Sequence, residues 1–383
     1  MKSSIIHIMT QCLAALALSV MASCGSQEES LPEVGNGYIA VFTLDMRNEA
    51  PRESTRTTSA DGEYESGSGL ENFIDFSPKN FRCLLFGTDN IFIDTLEAVS
   101  VQSLEEQYIL RLRLKETEEV KNALTEGCRF VFMVNWDTDA EPAAGTTIEQ
   151  LCASASAEFG FSQHKTVLSP TNLIPMYGVK EFENGVPDFK DGKEISDLGV
   201  VRILRALAKI DVNVRFIDFA ETPEVTSVSL THSNSKGYKA PANITKEEQY
   251  VTGSWLTDYT PVHIPGDATD MALELTKDES TGHYIAYVPE HRNVDDVKKP
   301  LDSRSRIKIS FKADGIDFDG YVDFCHTDPS PAGVSPGQHF DIARNNWYKF
   351  DVSVKCRNLY WKVDVVPYTS VVLNPDFGLE ITN

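Results

Sequence analysis

Met21-Ala22-Ser23-Cys24-Gly25 carries the most definite chemistry in this chain. Small residues precede a cysteine and close a segment that opens with Lys2 and runs through the apolar Cys12-Leu13-Ala14-Ala15-Leu16-Ala17-Leu18-Ser19-Val20. A basic start, a short apolar run and small residues at the cut form an export signal. A cysteine directly after the cut makes it a bacterial lipoprotein signal, so Cys24 is expected to become the first mature residue and to carry lipid on its thiol and amine. The apolar run is shorter than a bilayer span requires. Residues 1–23 therefore read as a removable signal, and the acyl chains as the anchor of everything that follows.

A second feature is an arginine-bearing segment. Arg47 stands just before, and Arg52 and Arg56 within, a stretch from Asn48 to Gly69 rich in Ser, Thr, Glu, Gly and Arg, a composition that reads as an exposed loop or disorder. Beyond these the search for catalysis is empty. The eight histidines are scattered, and there is no HExxH, GxSxG, P-loop or GxGxxG pattern. Cys325 and His326 are neighbours, but adjacent side chains on a strand face opposite ways. Asp137, Asp139 and Glu141 have the alternate spacing of a calcium loop without its glycine or its later bidentate glutamate, and read as a solvated turn. No enzyme, cofactor or metal site is expected.

The bulk numbers narrow the partners. Asp and Glu total 57 against 35 Lys and Arg, a formal net charge of -22, which speaks against nucleic acid and anionic membrane surfaces. Once Cys12 and Cys24 are set aside, Cys83, Cys128, Cys152, Cys325 and Cys356 remain, an odd set without a CxxC pair. They read as reduced, buried thiols rather than a disulfide framework. With 383 residues, the chain can hold two domains.

The elements that must position these features are mostly strands. Residues 24–37 form a polar tether. Tyr38 to Met46 follows as a strand apolar on both faces, with Tyr38, Ala40, Phe42 and Leu44 on one and Ile39 and Val41 on the other, the signature of burial between layers. Phe81–Phe86 and Ile91–Ile93 flank a turn and read as a hairpin. Strands are expected at Tyr108–Leu114, Arg129–Asn135, Glu224–Leu230, His283–Pro289, Arg306–Phe311, Gly320–Phe324, Trp347–Val354 and Leu359–Val366, with Asp314-Gly315 as a turn. Thr146–Glu158 holds one short helix through Ile148, Leu151 and Cys152. Over Val200–Val214 helical and strand readings compete. The sum is an all-β chain with short helical insertions. A domain break in the polar stretch Asn184–Asp197 separates residues 38–195 from 196–383. Trp136, Trp255, Trp347 and Trp361 could bind sugar, although three stand in apolar strand contexts that favour the core.

Several segments, in order, resemble the fimbrillins, the pilus subunits of Bacteroidetes. Ile174-Pro175-Met176-Tyr177-Gly178, Arg205-Ala206-Leu207-Ala208-Lys209-Ile210-Asp211-Val212, Arg344-Asn345-Asn346-Trp347-Tyr348-Lys349-Phe350-Asp351-Val352 and the closing Leu359–Tyr368 strand are similar to that family's motifs, with Pro367-Tyr368 where the family has Pro-Trp. The acidic residues after Cys24 also resemble a Bacteroidetes surface-export tag. The resemblance implies two tandem transthyretin-like β-sandwich domains. It also implies a lipidated precursor at the outer membrane that is displayed on the surface and cut by an Arg-specific protease at Arg47, Arg52 or Arg56. Removal of the 38–46 strand then lets subunits join by donor-strand exchange into a fimbria. Leu359, Trp361, Val363 and Val365 share a face and, continuing to Leu373, are the donor-strand candidates. The implied partners are other fimbrial subunits and the outer membrane. The competing reading is an unprocessed surface lipoprotein or pilus anchor that binds glycan or peptide, with both terminal strands completing their own domains.

Overall fold

Tyr38, Ala40, Phe42 and Leu44 face a common core from a strand that closes a ring. The computed structural model describes residues 37–45, 71, 73–104, 107–138, 141–154, 157–160, 168–169, 171–245, 262–294, 303–327, 335–355 and 358–367. Cys24, Arg47, Arg52, Arg56, Asp139, Trp255, Cys356 and Val371–Leu373 lie outside them. Strands β1 (Tyr38–Asp45), β2 (Phe81–Gly87), β3 (Phe92–Leu104), β4 (Gln107–Leu114), β5 (Cys128–Val134), β7 (Met176–Phe182) and β8 (Ile195–Arg205) bond in the order β1-β4-β3-β2-β5-β7-β8, and β8 returns to β1. The strands of the first half thus close into a ring. The reason is local. β1 bonds β4 on one side and β8 on the other, and the register shift between Val41 and Thr43 against β8 bends the sheet round. Gly199, at φ 76°, supplies the left-handed residue of β8 within that shift.

The barrel core includes Ala40, Phe42, Leu44, Leu110, Leu112, Phe130, Phe132, Val201 and Ile203. Helix α1 (Glu118–Glu126) lays Val120, Ala123 and Leu124 on it, with Thr117 capping its N-terminus through the Val120 N–H. This helix was not anticipated, although the Thr cap, two following glutamates and the 120/123/124 spacing spell it out. The expected short helix is α2 (Ile148–Cys152), held by a Thr147–Gln150 capping box. A third, α3 (Pro187–Lys190), buries Phe189.

Arg205 ends β8, and β9 (Ala208–Ile217) begins the second half, which resolves the ambiguous 200–214 stretch as two strands. The passage between sheet systems falls at Ala206-Leu207, beyond the 195/196 boundary. β8 stays with the barrel because Leu198, Val201 and Ile203 are buried in its core. Beyond the passage, β10 (Glu224–Asn234), β12 (Asp270–Glu274), β15 (Arg306–Ala313) and β16 (Ile316–Asp323) form one sheet in the order β12-β10-β15-β16. β9, β13 (Thr276–Lys277), β14 (Tyr284–Val288), β17 (Asn346–Lys355) and β18 (Asn358–Pro367) form the other, ordered β13-β14-β9-β17-β18. Ile210, Val212, Val228, Leu230, Ile307, Ile309, Phe311, Phe350 and Val352 fill the core that the two sheets share. The small pair β6 (Glu158–Gly160) and β11 (Lys236–Tyr238) joins chain from both halves. The fold is all-β with short helical insertions.

Candidate functional site

Strand β1 is held as an insert. Its inner face is in register with β4 at Tyr38↔Leu114, Ala40↔Leu112, Phe42↔Leu110 and Leu44↔Tyr108, and it runs antiparallel to that strand. On the other side it runs parallel to β8, from Ile39↔Ile195 to Asp45↔Arg202. Parallel pairing normally follows a long crossover, and here the two strands are far apart in sequence. Ala40, Phe42 and Leu44 have no exposed surface. Phe42 meets Phe130 and Phe132 edge-on, at 5.1 and 5.0 Å between ring centres, and Tyr38 meets Phe189 at 5.4 Å. The outer face is flanked by Arg113 opposite Ile39, Arg111 opposite Val41, and Asp197 on β8 opposite Val41. Without β1 the remaining strands would form an open sheet, with unpaired edges at β4 and β8 and an apolar slot between them.

Glu71 is the first described residue after β1, and it is anchored deep in the protein. Its carboxylate accepts from Lys209 Nζ at 2.7 Å and from the Tyr287 hydroxyl, while its carbonyl accepts from Arg205 Nε at 3.1 Å. Arg205 also donates to Asn345 Oδ1 at 3.1 Å through both its backbone N–H and its Nη1, and Asn345 donates to the Leu207 carbonyl at 2.9 Å. Lys209 lies over the Trp347 ring at 4.4 Å, and Trp347 Nε1 donates to Asp211 at 3.1 Å. Behind them Arg344 pairs with Glu290 at 2.9 Å, both almost fully buried. The motif residues singled out from the sequence therefore converge at the passage between the halves, where Ala206 N–H also donates to the Pro175 carbonyl at 2.8 Å. Burial and the adjacent Glu71 carboxylate keep Tyr287 protonated far above the usual phenol range. Sequence reasoning missed Glu71 and Tyr287, because neither stands in a pattern that local spacing reveals.

The donor-strand candidates lie on β18, paired along its length with β17 from Val354↔Leu359 to Tyr348↔Val365. Val363 is buried, and Leu359, Trp361 and Val365 pack on the second core. Leu359 sits against Gly320 on β16, whose absent side chain leaves the space: a Cβ there would stand 2.4 Å from Leu359 Cδ1. Trp136 and Trp347 are buried, and Trp136 donates to the Met176 carbonyl at 2.8 Å. Cys83, Cys128, Cys152 and Cys325 are buried free thiols, with burial pushing Cys128 and Cys152 up to about 12. Asp137 pairs with Lys79 at 2.5 Å and Glu141 with Arg82 at 3.0 Å. Among the described residues no group of three or more His, Cys, Asp or Glu could share a metal ion, and no helix is long and apolar enough to cross a membrane.

The sequence matches no protein-family profile and no curated protein, but its fold is similar to solved structures. The C-terminally truncated tip fimbrial protein Mfa3 from Porphyromonas gingivalis superposes with a TM-score of 0.50 at 12% identity, over 86% of this chain and 99% of that one. A candidate cell adhesion protein from Parabacteroides distasonis gives a TM-score of 0.50 at 14% identity, over 88% of this chain and 99% of that one. At such identities the likeness is one of architecture: this chain has a fimbrillin-like all-β fold, built as the tip fimbrial protein Mfa3 is built.

Proposed function

We propose that the chain is the lipid-anchored precursor of a cell-surface fimbrial subunit and has no enzymatic role. One observation carries this reading. The strand directly before the arginine-bearing segment is the one that closes the barrel, and the first described residue after that segment is independently clamped. A cut at Arg47, Arg52 or Arg56 would sever Cys24, the tether and β1 together from the rest of the chain, while Glu71 stays bound to Lys209 and Tyr287. The emptied slot between β4 and β8 offers backbone groups for pairing and alternate pockets for side chains, the two ingredients of strand addition. The C-terminal chain of another subunit is the proposed donor, the outer membrane the site of the precursor, and an Arg-specific protease the trigger. The tip fimbrial protein and the adhesion protein that share the fold support a place in a fimbria.

A second reading has its own observation. β1 is paired on both sides and β18 along its length with β17, each within its own half, as an unprocessed surface lipoprotein or anchor would have them. Incubating the intact chain with an Arg-specific protease separates the two. A nick between Arg47 and Arg56 followed by concentration-dependent filaments supports the first. A nicked chain that stays monomeric and keeps β1 supports the second.

A further inference from the structure

β3 changes partners along its length. Phe92 to Leu96 lie against β2, and Glu97 to Leu104 lie against β4. β2 starts only at Phe81, so β3 outruns it. Among the described residues no backbone hydrogen bond reaches the β2 side of Ala98–Leu104. The N–H and C=O groups on that side are a ready template for another strand. Val101 is 38% exposed, and Gln102 and Ser103 are exposed beside it.

Open edges are normally blunted by charge, proline or brevity. The other outer strands among the described residues obey that rule. β16 carries Asp317, Asp319 and Asp323; β18 carries Lys362 and Asp364 and ends at Pro367. β12 is five residues long and charged at both ends, β13 is two residues long, and β6 and β11 are three each. Ala98-Val99-Ser100-Val101-Gln102-Ser103-Leu104 has no charge, no proline and no glycine. We propose that this edge is an interface between two copies of the chain. Ser100–Leu104 of each copy pair antiparallel about a two-fold axis, with Gln102 of one opposite Gln102 of the other.

Hydrogen-bond parity fixes the register. In an antiparallel pair, opposed residues either both aim their N–H and C=O at each other or both aim them away. Identical strands meet that condition only when opposed residues differ by an even number, so the axis passes through a residue and never between two. The bulge between Ala98 and Ser100 ends the regular run. Ser100–Leu104 is then the straight stretch, and an axis at Gln102 pairs all five residues. Ser100 meets Leu104, Val101 meets Ser103, and the two Gln102 amides can each donate and accept across the axis. Charge selects a second copy here. A chain of net charge -22 repels its own kind, and this seam opposes no charged pair. Arg111, one strand in and opposite Ser100, sets a cation beside it rather than another carboxylate. The contact leaves β1 and β18 in place, so it does not depend on strand replacement.

Sedimentation of the full, uncut chain over a concentration series should show a reversible monomer–dimer equilibrium. Raising salt from about 20 to about 300 mM should tighten it, because like-charged copies repel less as the Debye length shrinks. Val101→Lys should weaken it at least about tenfold with an unchanged melt. Ser103→Lys, also at an exposed position, gives the same readout should Val101→Lys disturb the strand. Gln102→Cys should form a disulfide-linked dimer above the level of the parent chain, since opposed residues stand about 4.5–5.5 Å apart. Val101→Cys should do so only when mixed with Ser103→Cys. A chain that stays monomeric up to about 1 mM overturns the interface, as does a dimer untouched by both lysine variants or one that loosens as salt rises. Equal crosslinking by Val101→Cys alone and by Gln102→Cys overturns the register. A labelled peptide of residues 98–104 that binds a chain which itself stays monomeric assigns the edge to a foreign strand and overturns the two-copy reading.

Discussion

Phe42→Ala tests whether β1 is an energetic keystone or a peripheral strand. Phe42 has no exposed surface, and its ring contacts Phe130 and Phe132 at 5.1 and 5.0 Å between centres. Truncating a buried phenylalanine costs about 3–5 kcal/mol in lost transfer and cavity, of which aromatic geometry accounts for roughly 0.5–1.5 kcal/mol per pair. In the intact chain this cost should appear as lost unfolding free energy, read by urea denaturation with an unchanged slope. In a chain nicked after Arg47 the same interaction holds a separate strand. At about 1.4 kcal/mol per tenfold, Phe42→Ala should raise the dissociation constant of β1 roughly 100- to 4000-fold, measured by exchange with a labelled 38–46 peptide. A loss under about 1 kcal/mol in the intact chain would refute the reasoning. So would a full loss on unfolding without faster exchange in the nicked one, because the strand's packing would then not be what retains it.

Glu71→Ala should destabilise the chain by about 3–5 kcal/mol, since it leaves Lys209 buried without its carboxylate. Glu71→Ala with Lys209→Met should recover much of that in calorimetry, and equal melting of both variants would deny the clamp. Gly320→Ala should cost about 1–3 kcal/mol by driving a methyl into Leu359 and should speed amide exchange in β18 selectively; unchanged β18 protection would contradict the contact. Lys239, whose Nζ donates to the Trp136 carbonyl, is lowered to about 8 by burial. The unfolded chain, with its lysine near 10.4, binds the proton more tightly, so the penalty is full below about pH 8 and is relieved towards about pH 10.4. Wild-type stability minus that of Lys239→Met should therefore rise across this window by about 1–2 kcal/mol, and a flat or falling difference would overturn the assignment.

Period-two alternation is local, so Tyr38–Leu44, Tyr108–Leu114 and Trp347–Val354 announce themselves as strands, and the capping box announces Ile148–Cys152. Pairing partners are not local. No spacing says that Ile39 lies beside Ile195, and that parallel contact makes β1 the closing strand of the first half. Glu71 reads as one more acid in a polar run until the fold brings Lys209, Tyr287 and Arg205 round it, where burial makes ion pairing obligatory. The sequence by itself determined the strand content and the apolar faces, because these depend on neighbours along the chain. Tertiary structure alone decided which strand closes the core, where the two halves are pinned and that Leu359–Val365 is built into its own half, because those depend on contacts whose loop-closure cost only the whole folded core can offset.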